Sequence, residues 1–232
     1  MGKALLALVL LLQAADDKAA IDEAIKKFNK EFANPNALAR GAAVTELSRT
    51  RADKTLNRIL PLLTSDVGDV RASAAKALTE FGDWKKIVTP SLMAAVPPNI
   101  KDYKVEIAIF EALGKLQDPI ALPTVHGNFK ESDARITSAV ILCAGAMRQK
   151  ESMDALLDLQ KDIQKWIKNK QSGPYRDKDG QQGDENAYTK RLQDLQKDII
   201  KAYQMITKEK WATAPEWEIW WGKKKATFEI PK

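Results

Sequence analysis

One histidine and one cysteine limit what this 232-residue chain can do chemically. Cys143 stands among Val140, Ile141, Leu142 and Ala144, the setting of a small buried hydrophobe rather than a reactive thiol. A single cysteine also excludes an intramolecular disulfide. His126 has no cysteine or acidic cluster beside it at metal-ligand spacing. No Gly-x-Ser-x-Gly nucleophile turn and no glycine-rich phosphate loop occurs. Asp177-Lys178-Asp179-Gly180 begins like a calcium loop, but Gln182 and Tyr188 stand where that loop needs glycine and glutamate. It reads as a polar loop. No catalytic, cofactor-binding or metal-binding residue is therefore assigned, and no cofactor is expected.

Two residue sets could bind rather than react. Lys54, Arg58, Lys85, Lys86 and Lys130 fall on expected second helices of a repeat and could meet an acidic surface. A solvated basic face is the competing reading. The net charge of +6, from 37 basic and 31 acidic residues, is spread along the chain, and no aromatic residues alternate with the bases as a single-strand binder wants. Nucleic acid is accordingly the weaker expectation. The second set is aromatic: Trp211, Trp217, Trp220 and Trp221 are four of the six tryptophans, and Phe228 follows. Their rings could close the end of a helical array, or form a platform for a partner or sugar. The cap is the favoured reading, with Leu195, Ile199, Tyr203 and Ile206 as the surface covered.

These residues need helices to position them. Capping-type residues open apolar-periodic stretches at Asn36, Asp69, Asp102 and Asp133, and Val70, Leu78 and Phe81 align with Val105, Leu113 and Leu116, then Ile136, Ala144 and Met147. The unit is roughly 31–35 residues, the length of a two-helix repeat, and such arrays serve to present surface. At 44% hydrophobic and 29% charged, the chain has the composition of an ordered protein, and no convincing strand occurs before the last few residues. Ala19 to Phe32 form an amphipathic helix within an N-terminal capping segment, 16–35. The repeat array covers 36–149, its last second helix continuing to about 170. Gly82 is expected to end a helix in a left-handed cap, Pro90 to interrupt the next, and Pro97-Pro98 to stop it. Asp118 caps a helix with Pro119 at its first position.

Val70-Arg71 with Ala74 and Ala77-Leu78, and Ala112-Leu113-Gly114-Lys115-Leu116-Gln117-Asp118-Pro119 with Ala121-Leu122, resemble the HEAT-repeat family and its short bacterial relatives. The resemblance covers 37 to about 160. The third repeat matches well, and the second well in its first helix. The fourth departs, with Ala144-Gly145-Ala146-Met147 and with Lys150 in place of proline. The resemblance implies an all-α fold, a right-handed α-solenoid of about four helical hairpins whose second helices line a concave surface. It implies no catalysis.

Beyond the array, Asp158-Leu159-Gln160-Lys161-Asp162-Ile163 recurs letter for letter as Asp194-Leu195-Gln196-Lys197-Asp198-Ile199. A long antiparallel hairpin over 150–210 is expected, with a polar loop at 171–186. Its seams are Leu156, Leu159, Ile163, Trp166 and Ile167 against Leu192, Leu195, Ile199, Tyr203 and Ile206. The Trp-rich tail, 211–232, is similar to one found on some exported bacterial HEAT-repeat proteins.

At the other end, Lys3 precedes nine apolar residues, Ala4 to Leu12, and then Gln13-Ala14-Ala15. This is the layout of a signal peptide, 1–15, cleaved after Ala14 or Ala15, and the apolar run is far short of the ~20 residues of a membrane span. The alternative is an apolar first helix. The sequence thus points to an exported, periplasmic or extracellular, noncatalytic scaffold that binds another protein and does not insert in the membrane once mature. The rival is a nucleic-acid-binding helical repeat, possible as a DNA glycosylase-like enzyme with a basic groove.

Overall fold

The computed structural model describes residues 2–131, 133–169 and 185–231, with side chains described for 17–131, 133–168 and 188–231. Every regular element among these residues is helical. The chain forms two compact units, 1–84 and 85–232.

In the first unit, α1 (Gly2–Phe32), α2 (Ala37–Ser48), α3 (Asp53–Ile59) and α4 (Gly68–Ala77) are joined by short linkers, and 3₁₀ turns extend α3 and α4. Helix α2 packs between α1 and α4. Phe28, Val44, Leu47, Leu56, Ile59, Val70 and Leu78 are buried there, placing the apolar seams of the repeat in a core. Asn36 caps α2 as expected, its Oδ1 accepting from the Leu38 N–H at 2.8 Å. Asp69 does not cap α4. That helix opens at Gly68, and Asp69 lies within its first turn, where a carboxylate favours the helix dipole. Asp66 organises the start instead. Its Oδ1 accepts from the Val67 N–H at 2.6 Å, and the carboxylate takes two bonds from Arg40, at 2.7 and 3.1 Å. Arg40 also donates to the carbonyls of Asn34 and Pro35, which ties two linkers together, and its hydrogen bonds to Asp66 hold that carboxyl below its ordinary pKa. Gly82 supplies no left-handed cap: α4 tightens into a 3₁₀ segment, Leu78–Trp84, kinked at Phe81.

The second unit contains α5 (Lys85–Ala95), α6 (Tyr103–Leu116), α7 (Leu122–Gly127), α8 (Ala134–Met147), α9 (Glu151–Asn169), α10 (Glu185–Thr207) and α11 (Ala214–Lys224). Pro90 does not interrupt α5. The carbonyl it leaves without an i+4 donor belongs to Lys86 in the first turn, and its ring lies on the solvent side. Asp102, Asp118 and Asp133 cap their helices as expected. Left-handed C-caps fall on Gln117 and Arg148, each at φ 52°, one repeat apart.

Helix α8 packs against α6 on one side and α10 on the other. Two glycines in the same repeat register set this spacing. A Cβ on Gly114 would stand 3.2 Å from both Ala146 Cβ and Cys143 Cα, and one on Gly145 only 2.7 Å from Ala202 Cα. The expected α9–α10 seam also forms: Leu156, Leu159, Ile163, Leu192, Leu195, Ile199, Tyr203 and Ile206 are buried, while Trp166 and Ile167 are half-buried. However, α10 makes its main contact with α8. Most of its 171–186 loop, including Asp177 to Gly180, lies outside the described residues.

Candidate interaction surface

Polar contacts at the repeat period join successive helical pairs. Lys54 Nζ lies 2.8 Å from Asp22 and Lys130 Nζ 2.6 Å from Asp162, each pair 32 residues apart. Trp84 Nε1 donates to Asp53 Oδ1 at 2.5 Å across 31 residues, and Arg51 pairs with Asp83 across 32.

These pairings divide the five expected basic site residues. Lys54 and Lys130 already have carboxylate partners. Lys130 also lies outside the helix expected to carry it, because α7 is only six residues long and ends at Gly127. Arg58, Lys85 and Lys86 are exposed and, among the described residues, form no ion pair. Lys54 and Arg58 belong to the first unit, and Lys85, Lys86 and Lys130 to the second.

The tail forms α11 beside α9 and α10. Glu216 accepts from the Thr213 backbone N–H at 2.8 Å, and Pro215 fits the open first turn of α11. Trp217 is fully buried, its ring 5.0 Å from that of Tyr203 and its Nε1 donating to the Trp211 carbonyl at 3.0 Å. Trp221 is also buried and donates from Nε1 to Asp154 Oδ1 at 2.9 Å, while Lys225 pairs with the other oxygen at 2.7 Å. Phe228 meets Trp220 and Trp221 edge-on at 5.6 and 5.4 Å. Arg148 donates to the Pro231 carbonyl, closing the tail onto the end of α8. Trp217 and Trp221 thus act as packing residues. Trp220 is half-buried, and Trp211 is exposed at the edge of the cluster.

His126 Nε2 lies 3.0 Å from Ser152 Oγ, with its ring against Phe129. Burial holds its pKa below the ordinary value, partly opposed by Glu151. Ser152 is fully enclosed, so the pair joins α7 to α9 instead of presenting a nucleophile. Cys143 is buried as expected, its thiol pushed up to about 12 by desolvation. Between α1 and α2 a cleft of about 90 Å³ holds Lys27, Phe28, Glu46 and Leu47, well below the ~300–1,000 Å³ of small-molecule sites.

Asp154, Ser152 and the fully buried Glu106 were not singled out from the sequence. The partners of Asp154 and Ser152 lie 67 and 26 residues away, and nothing local marks them. No protein-family model and no curated protein matches the chain.

Proposed function

We propose that this chain is an exported, noncatalytic interaction scaffold, an α-solenoid of HEAT-repeat type that binds a partner protein on its second-helix surface. The observation that carries the proposal is the set of polar contacts at 31- and 32-residue spacing, which supports a repeated helical pair as the building unit. Arrays of this kind offer adjacent, equivalent helix faces, and extended contact is the function such faces support. The buried tail favours the same role. Trp217 and Trp221 cover the α9–α10 end, leaving the binding work to the exposed flank. The leader-like layout of residues 1–15 supports a role outside the cytoplasm.

Affinity purification of the tagged protein from its native cell envelope tests the proposal. A partner retained in stoichiometric amount, with the tag in the exported fraction, is the expected result. A cytosolic protein recovered with nucleic acid, or one recovered alone at every salt concentration, would overturn it.

A further inference from the structure

We propose that α5 and α7 carry the partner site of the second unit, an apolar strip that takes an acidic peptide segment with an apolar face. The proposal deepens the scaffold reading and rests on it. Positions 54, 87, 120 and 153 recur every 33 residues near the starts of successive second helices, occupied by Lys54, Ile87, Ile120 and Met153. The outer two are engaged within the chain: Lys54, though exposed, is ion-paired to Asp22 on α1, and Met153 is fully buried. The inner two are open, with Ile87 48% and Ile120 56% exposed.

Their surroundings separate them from scattered surface isoleucines, which are normal. Beyond Lys86, the exposed positions of α5 include Pro90 and Ala94, and those of α7 are Pro123 and Gly127. None is charged, in a chain where 29% of residues are. The second helices before and after them in the chain differ, with Asp53, Lys54, Asn57 and Arg58 exposed on α3, and Lys161, Lys165 and Lys168 on α9. The turn holding Ile120 packs against α5, so the two exposed rows are neighbours. Small residues and prolines leave this surface flat and stiff, which limits the entropy lost on binding.

Lys85 and Lys86 fix the chemistry of the occupant. They are exposed beside Ile87, without an ion-pair partner among the described residues, and would meet carboxylates on a segment whose apolar side covers the isoleucines. A lipid surface is a poorer fit, because the strip has no aromatic residue to seat at a headgroup boundary.

The test uses a fluorescent amphipathic peptide with leucines along one face and glutamates along the other, its lysine counterpart, and a scrambled glutamate peptide. Full-length protein should bind the glutamate peptide at least tenfold more tightly than the other two. Ile87→Glu with Ile120→Glu should abolish binding while leaving the melting midpoint unchanged, since both residues are exposed. Lys85→Glu with Lys86→Glu should reverse the preference toward the lysine peptide. Equal binding by the isoleucine variant, indifference to peptide charge, or tighter binding to anionic phospholipid vesicles than to the peptide would each overturn the strip. A native partner still captured by the isoleucine variant would overturn the strip and leave the scaffold standing. Failure to capture any partner with the unaltered protein would remove the scaffold itself.

Discussion

Replacing Gly145 by alanine adds one methyl group where α8 and α10 come closest. That Cβ would lie 2.7 Å from Ala202 Cα and 3.0 Å from Ala202 Cβ, against the ~3.5–4.0 Å of ordinary carbon contacts. One contact is backbone, so no rotamer change relieves it, and α10 must move by about 1 Å. Overpacking of this kind costs about 1–3 kcal/mol. Alanine returns about 1 kcal/mol in helix propensity. With a backbone clash the upper half of the range applies, leaving a net loss of about 1–2 kcal/mol, or roughly 2–8 °C for a chain of this size. Gly222 on α11 is the control, because a Cβ there meets nothing within 4 Å. Gly222→Ala should raise the midpoint slightly, and Gly114→Ala should fall between the two. Thermal melting followed by circular dichroism measures all three. A Gly145→Ala protein that melts with Gly222→Ala would mean that α10 does not dock on α8 as a first helix.

Four further outcomes are expected. Trp217→Ala should cost about 3–5 kcal/mol and promote aggregation, whereas Trp211→Ala, at an exposed edge, should change the urea midpoint little. His126 has a folded-state pKa below 6.5, so the stability of its neutral form is lost as pH falls beneath that unfolded-state value. The melting midpoint should drop between pH 7 and 5, and His126→Gln should flatten that slope. N-terminal sequencing of protein from its own cells should begin near Ala15 or Asp16, and intact Met1 in a cytosolic fraction would refute export. Random duplex DNA should bind weakly at ~150 mM salt. Submicromolar affinity lost on changing Lys54, Arg58, Lys85 and Lys86 to glutamate would favour the nucleic-acid reading.

Local signals read correctly where a residue acts on its own turn. Asn36, Asp102, Asp118 and Asp133 cap helices whose first N–H groups lie two or three residues away, and that chemistry is visible in any short window. Asp69 misled because Asp66, held by Arg40 from another helix, does the positioning. Periodicity showed which faces of α9 and α10 are apolar but not which helix each face meets, and α8 is the main neighbour of α10. Gly114 and Gly145 read as small residues; their closeness to Cys143, Ala146 and Ala202 exists only once the helices are stacked. The basic set was legible as exposed charge, yet Asp22 and Asp162 engage two of its members one period away.

Site-specific photocrosslinking in native cells tests the scaffold role most directly. A photoreactive residue would be placed in turn at Ile87 and Ile120 on the second-helix side of the second unit, and at Glu111 and Lys115 on exposed positions of α6. Adducts to one protein partner from Ile87 and Ile120, with none from Glu111 or Lys115, are the expected result. Adducts confined to the α6 positions, or an unmodified protein at every position, would contradict a partner bound on the second helices.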